Sequence, residues 1–131
     1  MPIHQESSAV TLARALVEAW SHHDWDTARK MLAPDVHVTA SSTQPGIKPT
    51  DLTGIDDYMA GLIQFAQPIE PGSARVIGSV GDEQNSLILL TVRAAFAPSG
   101  AKVTIPGARL AFFDENQKLK EEQVIFFAVP D

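Results

Sequence analysis

The sequence predicts one α+β domain, with three helices in its first half and an antiparallel sheet after them. Apolar residues recur at helical spacing early in the chain, and from residue 73 four apolar stretches alternate with short polar turns. The two kinds of element are segregated along the chain, which is typical of α+β proteins. The 131 residues, 44% of them apolar, suffice for a single domain spanning 1–131.

The first two helices are predicted from apolar spacing and from their caps. Apolar residues recur every three or four positions after Ser7 or Ser8, either of which can cap a helix that ends near His22. Asp24 is placed to cap a second, shorter helix. Pro34 ends that helix because the residue before a proline avoids helical backbone angles.

The next stretch predicts a short strand followed by a loop. Residues 35–41 alternate, with Val38 and Ala40 on one face and His37 on the other, which is the period of a half-buried strand. Residues 42–53 contain two prolines and a glycine and show no periodicity. They therefore predict a loop, either over a pocket mouth or on the surface.

A third helix should follow this loop. Thr53 and Asp56 resemble a capping box, and the apolar residues after them recur at helical spacing until Pro68. Tyr58 falls within this helix. Its phenolic hydroxyl could serve a ligand, or the side chain could lie amphipathic at the surface.

The second half of the chain predicts an antiparallel meander of four strands. Pro106 and Gly107 interrupt the strand that contains Arg109. Because proline cannot donate to a strand ladder, a bulge is predicted there. A bulge shifts the pleat by one residue, so the face that Arg109 occupies is left open.

Three of these strands are apolar at consecutive positions, in residues 87–90, 110–113 and 124–127, so both of their faces require cover. Three helices can cover only one face of such a sheet. A large exposed apolar patch is unusual for a monomer. The sequence therefore predicts a homodimer that pairs the outer faces of two sheets.

Composition restricts the partners and the location. Lys and Arg number 10 and Asp and Glu 16, which gives a net charge of −6 and argues against nucleic-acid or anionic-membrane partners. The chain has no cysteine, so disulfides and thiolate metal sites are excluded. It shows neither a secretory leader nor an apolar run of about 20 residues, and a cytoplasmic protein is expected.

Residues 19–38 (AWSHHDWDTARKMLAPDVHV), 53–62 (TGIDDYMAGL) and 105–123 (IPGARLAFFDENQKLKEEQ) resemble the SnoaL-like branch of the NTF2-like superfamily. The resemblance covers nearly the whole chain. It implies a cone in which a strongly curved sheet wraps the helices and an apolar pocket lies at the open end. Related proteins include polyketide cyclases, ketosteroid isomerase and limonene epoxide hydrolase, so the resemblance implies a fold rather than one reaction.

The same resemblance identifies where proton-transfer groups are missing. Ketosteroid-isomerase-like proteins carry a tyrosine on helix one, a base carboxylate at the end of strand one and a protonated aspartate on a later strand. These positions fall at Leu16, at Ala40 and near Arg109. None of the three can do the same chemistry, so isomerase activity is predicted to be absent. No Asp or Glu is predicted on a core-facing strand position.

Nine residues are candidates to line the pocket: Leu16, Trp20, Val38, Ala40, Tyr58, Arg93, Arg109, Phe113 and Gln123. Trp20 is first of all a core residue and only secondly a pocket wall. Arg93 and Arg109 lie within apolar strands, where an arginine needs an anionic partner. That partner is Glu121 or Glu122 in a dimer interface or, alternatively, a carboxylate or enolate of a ligand.

His22, His23, Asp24 and Asp26 lie close together in sequence, which raises the alternative of a metal site. The favoured interpretation is a solvated corner between two helices. Asp24 caps the second helix there, and Asp26 complements its dipole. No metal and no cofactor are therefore predicted.

The sequence favours a protein that binds a small apolar or ring-bearing molecule. In an enzyme of isomerase, cyclase or hydrolase type, Arg109 or Arg93 would stabilise negative charge, and Tyr58 or His37 would donate or accept a proton. The catalytic residues stay undefined. The alternatives are a non-catalytic ligand-binding module and a dimeric association domain whose cone is filled by side chains.

Overall fold

The computed structural model describes residues 6–43, 48–95 and 100–127. Within these ranges the chain forms three helices and six strands in this order: α1 (Ser8–Ser21), α2 (Trp25–Lys30), β1 (Leu32–Ser42), β2 (Thr50–Thr53), α3 (Ile55–Ala66), β3 (Arg75–Gly81), β4 (Asn85–Ala94), β5 (Val103–Phe113) and β6 (Leu119–Phe126). The predicted α+β class with three early helices is confirmed. None of the helices in these ranges is long and apolar enough to cross a membrane.

The helix starts follow the predicted caps in two cases out of three. The Ser7 side chain accepts a hydrogen bond from the backbone N–H of Val10 at α1, and Asp24 accepts from that of Thr27 at α2. The capping box predicted for α3 is wrong. Thr53 ends β2 instead, and Gly54, with a φ of 92°, turns the chain from strand to helix without a side-chain cap. Glycine adopts this positive φ without a steric penalty.

All six strands form one curved, unclosed sheet in the order β2-β1-β6-β5-β4-β3. The predicted meander is confirmed, because β3, β4, β5 and β6 pair antiparallel in succession. β1 pairs parallel to β6 and antiparallel to β2, so the sheet is mixed but mostly antiparallel. The helices pack on its inner face, over a core that includes Leu16, Trp20 and Phe113.

β2 lies where the sequence predicts only loop. Its four residues pair with β1 from His37 to Ala40, and one side chain, Leu52, is half-buried. A strand of four residues is too short for its alternation to be distinguished from chance in the sequence. Residues 44–47 of the predicted loop lie outside the described residues.

The bulge predicted at Pro106 and Gly107 is wrong. β5 pairs with β4 without a register shift from Val103 to Phe112. The Pro106 carbonyl accepts a hydrogen bond from the backbone N–H of Phe127 at 3.1 Å. The nitrogen and the carbonyl of a strand residue point to the same side. The missing N–H of Pro106 therefore faces the end of β6, and the ladder with β4 loses no bond.

Candidate functional site

An open cavity of about 160 Å³ lies between α3 and the inner face of β1, β2, β5 and β6. Most of its lining side chains are apolar or aromatic. Four are polar, and three of these, Tyr58, Arg109 and Glu122, lie together at one end. The lining residues are Val38, Ala40, Thr50, Leu52, Tyr58, Gly61, Leu62, Phe65, Arg109, Glu122, Val124 and Phe126. An apolar cleft with a few converging polar groups is the usual form of a small-molecule site.

Strand alternation brings the polar end together. In β5, Arg109 is buried, and so are Gly107 and Ala111, which lie two residues before and after it. All three therefore lie on the inner face, and the Arg109 side chain points inward. In β6, Glu122 shares the inner face with Val124. Arg109 pairs directly with Val124 across the two strands, which leaves Glu122 one diagonal step away on the same face.

The three polar side chains form one hydrogen-bonded cluster. Arg109 donates from Nε to Glu122 Oε2 at 3.0 Å and from Nη2 to Oε1 at 2.9 Å, which is a two-point ion pair. The Tyr58 hydroxyl donates to Glu122 Oε1 at 2.7 Å and lies 3.5 Å from Arg109 Nη2. Arg109 is only 4% exposed, and Glu122 and Tyr58 are each 2% exposed. Each charge is therefore buried with its partner.

Burial keeps Tyr58 neutral, and the contacts within the cluster keep Arg109 charged. Burial and the nearby charge of Glu122 raise the pKa of Tyr58 well above its ordinary value near 10, so the phenol stays neutral. Burial alone would lower the pKa of Arg109, but the charge of Glu122, the Tyr58 oxygen and their hydrogen bonds outweigh it, and the pKa rises. The cluster thus holds one positive and one negative charge and has no net charge.

Some N–H groups of the Arg109 guanidinium make no hydrogen bond within the cluster. The guanidinium carries five N–H groups, of which those on Nε and Nη2 point to Glu122 and Tyr58. Nη1 has no acceptor among the residues that the structure describes. The Arg109 Cζ lies 5.3 Å from the centre of the Trp20 ring, where a cation is attracted to the aromatic face. The two N–H groups of Nη1 are therefore not committed to the cluster.

The structure brings four of the nine candidate residues to the cavity wall: Val38, Ala40, Tyr58 and Arg109. Leu16 lines a separate space of about 10 Å³ on the α1 side of the Arg109–Glu122 pair. Trp20 is fully buried beneath Arg109 and packs edge-on against Phe65, which is part of the wall.

Three candidates lie away from the cavity. Arg93 and Gln123 are exposed on the outer face of the sheet, because the buried residues on either side of each occupy the inner face. Phe113 is buried in the core at the end of β5. None of these three side chains lines the cavity.

Glu122 is the site residue that sequence reasoning missed. The sequence predicted no carboxylate on a core-facing strand position and paired the arginines with Glu121 or Glu122 at a dimer interface. Glu122 instead pairs with Arg109 inside its own chain. The available signal was the spacing of two residues that joins Glu122 to the apolar Val124 and Phe126 on one face of β6. Buried Leu119 breaks that spacing, because the β5–β6 register shifts between Phe112 and Phe113.

The His22 to Asp26 segment forms a solvated corner. Asp24 caps α2, and its hydrogen bonds with Thr27 lower the pKa of its carboxyl. His22 lies 3.0 Å from Glu18, and the His23 ring stacks on Trp25. Within the described ranges no group of three or more His, Asp or Glu side chains is arranged to hold a metal ion.

Solved structures with the same architecture define the class of protein. A SnoaL-like protein from Jannaschia sp. CCS1, described as a candidate polyketide cyclase, superposes with a TM-score of 0.75 at 16% identity, covering 96% of this chain and 91% of its own. An NTF2-like protein of unknown function from Cytophaga hutchinsonii gives 0.67 at 13%, covering 95% and 94%. The LEH-like epoxide hydrolase of M. tuberculosis gives 0.67 at 15%, covering 91% and 82%. The fold is NTF2-like.

The family model described as the SnoaL-like domain matches residues 13–122. The chain therefore belongs to the SnoaL-like domain family. No curated protein matches it significantly in sequence.

Proposed function

We propose that this chain binds a small, neutral, ring-sized molecule that carries one hydrogen-bond acceptor oxygen, such as a cyclic ketone. The size of the cavity supports a ring-sized ligand, because an apolar cavity of about 150 Å³ is known to hold benzene. The cavity here measures about 160 Å³, and its side walls are built by Val38, Leu62, Phe65, Val124 and Phe126.

The charge balance at the polar end carries the choice of ligand class. Arg109 and Glu122 already neutralise each other, and Tyr58 is held neutral. A ligand carboxylate would add a buried negative charge without a counter-ion, which is costly. A neutral oxygen can accept from the unpaired Nη1 donors of Arg109 without changing the charge. The site therefore favours ketones, esters or ethers over acids.

Binding without proton transfer fits the cluster better than catalysis. The neutral Tyr58 hydroxyl is committed to Glu122, and Glu122 accepts three hydrogen bonds on its two oxygens. Ala40, which the resemblance to ketosteroid-isomerase-like proteins aligns with their base carboxylate, lines the cavity and carries no ionisable group. His37, the other candidate proton carrier, points to the opposite face of the sheet. No free general base is therefore found among the described cavity residues.

The test compares cyclohexanone with methylenecyclohexane, which has the same shape but no acceptor oxygen, and with cyclohexanecarboxylate. Affinities are measured by NMR titration of the native chain and of a Tyr58→Phe/Arg109→Met/Glu122→Leu variant, in which the freed Tyr58 hydroxyl cannot replace the lost donor. We expect the ratio of ketone to alkene affinity to fall about tenfold in the variant, because a hydrogen bond to a charged donor contributes about 1.5–3 kcal/mol. Tighter binding of the carboxylate than of the ketone would contradict the proposal.

Gly61 offers a control that changes cavity space alone. A Cβ atom at this position would lie 2.5 Å from Cδ1 of Leu52, and both residues line the cavity. In Gly61→Ala the flexible end of Leu52 must move, which reduces the space left for a ligand. All three probes should bind more weakly, while stability stays the same or rises by up to about 1 kcal/mol from helix propensity. Unchanged affinities would show that the probes bind elsewhere.

A second candidate function, homodimer formation, is favoured by the outer face of the sheet. Leu89, Leu110 and Ile125 lie on three adjacent strands and are 42%, 46% and 41% exposed. Leu87 and Ala108 extend the same apolar surface between them. A second copy of this chain, bound through the same face by a two-fold axis, would cover this apolar patch.

Light scattering on the eluting protein tests the dimer. The native chain should elute at twice its mass of 14.1 kDa at micromolar concentration. Leu89→Glu/Leu110→Glu should raise the dimer dissociation constant at least about tenfold, because each new carboxylate would be buried without a partner. Ile63→Glu is the matched control, since Ile63 is an exposed apolar residue of α3 and not of the sheet. A monomeric native chain would contradict the prediction.

A further inference from the structure

His37 holds an unusual position across three strands. Its side chain projects from the outer face of β1, because Val36 and Val38 on either side of it are buried on the inner face. Its Nε2 lies 2.7 Å from Asp51 Oδ1 of β2, and its Nδ1 lies 2.9 Å from Glu121 Oε2 of β6. The ring therefore connects the edge strand β2 to β6 across β1.

Both contacts at once require a protonated ring. An ionised carboxylate only accepts hydrogen bonds, and a neutral imidazole has a single N–H to donate. The imidazolium form has two and satisfies both neighbours. The hydrogen bonds to Glu121 and then to Asp51 raise the pKa of His37 above its ordinary value of 6.5. Two other charged side chains of these strands, Asp35 of β1 and Lys120 of β6, pair with each other at 3.6 Å.

The strand that this contact holds is also a wall of the cavity. Thr50 and Leu52 of β2 line the cavity, and Asp51 between them faces the opposite side toward His37. β2 has only four residues and pairs with β1 alone. On the outer face the other side chain of β2, Thr53, is exposed, so the contact of Asp51 with His37 is the main side-chain fastening there.

We propose that His37 is a positioning residue for the cavity: its protonated ring fastens β2 to the sheet, and loss of that proton loosens the wall formed by Thr50 and Leu52. This inference deepens the proposed binding function and rests on it. A contact that needs the proton is complete below pH 6.5. It is lost as the pH rises through the raised pKa of His37 in the folded chain. Ligand affinity should therefore fall on the alkaline side of neutrality.

The experiment measures cyclohexanone affinity and amide hydrogen exchange of residues 50–53 between pH 6 and 9, with exchange corrected for its intrinsic pH dependence. In the native chain, affinity should weaken about threefold across this range, which corresponds to a fall of the competent fraction to about one third. In His37→Asn the affinity should be low throughout and independent of pH. Asp51→Asn should weaken protection of residues 50–53 in the same direction. His22→Gln is the control, because His22 contacts Glu18 and Gly72, away from β2.

Three results would overturn the inference: a native pH profile retained in His37→Asn, an NMR titration of His37 below pH 6.5, or protection of residues 50–53 that does not change with pH. The last two are measured without ligand. If no probe binds at any pH while protection follows His37 titration, the proposed binding function fails and the strand-fastening contact stands. If the probes bind with the expected selectivity and none of the pH effects appears, the proposed binding function stands and the strand-fastening contact fails.

Discussion

Replacing Glu122 by Gln is expected to lower the free energy of unfolding by about 3–5 kcal/mol, because it leaves the guanidinium of Arg109 buried without a counter-charge. Arg109 is 4% exposed and directs both Nε and Nη2 to this carboxylate. A glutamine of the same shape offers one acceptor oxygen and no charge. Tyr58 would also lose the charge that strengthens its hydrogen bond. Urea denaturation followed by circular dichroism measures the loss.

The triple variant Tyr58→Phe/Arg109→Met/Glu122→Leu separates the value of the cluster from the cost of breaking it. It removes both charges together with the hydroxyl that would otherwise be left without a partner, and it fills much of the same volume, so its stability should lie close to that of the native chain or above it. Glu115→Gln, in the exposed turn between β5 and β6, should change stability by no more than about 0.5 kcal/mol. A loss below about 1 kcal/mol for Glu122→Gln would mean that water reaches the pair.

Trp20→Ala is expected to lower the free energy of unfolding by about 3–5 kcal/mol, because it removes the largest fully buried side chain of the core and leaves a cavity. Trp20 packs edge-on against Phe65 with ring centres 5.6 Å apart and lies beneath Arg109. Its removal therefore weakens the core and the support of the polar cluster together. Thermal unfolding and urea denaturation measure the loss.

Two further variants are compared with Trp20→Ala for their loss of stability. Trp20→Phe keeps an aromatic ring against Phe65 and should lose clearly less stability than the alanine variant. Trp25→Ala removes the other tryptophan, which is only half-buried and stacks on His23, and should cost about 1 kcal/mol. Equal losses for Trp20→Ala and Trp25→Ala would contradict the assignment of Trp20 as the centre of the core.

Local sequence signals predicted the elements that depend on neighbouring residues. The caps at Ser7 and Asp24, the three helices and the four-strand meander were all predicted correctly. The failures were β2, the capping box of α3, the bulge at Pro106 and Gly107, and the end of α2, which lies at Lys30 while Pro34 lies within β1. β2 is too short for its pattern to be visible, and Gly54 begins α3 through its own backbone conformation.

The site was less predictable because its members meet through the sheet. Tyr58 was a candidate from its hydroxyl on the third helix and Arg109 from its place within an apolar strand, but the sequence left open where each side chain pointed. Pro106 suggested a shifted pleat, yet its missing donor faces the end of β6 and the β4–β5 register is continuous. Glu122 was missed because the β5–β6 irregularity breaks the alternation on its own strand.

The sequence by itself determined the α+β class and the helix order, because periodicity and capping act over a few neighbouring positions. The tertiary structure alone decided that Tyr58 and Glu122, which are 64 positions apart, share one hydrogen bond beside Arg109. Such a contact depends on cross-strand register and on the packing of α3. A register shift of one residue would turn the side chain of Arg109 or Glu122 to the other face of the sheet.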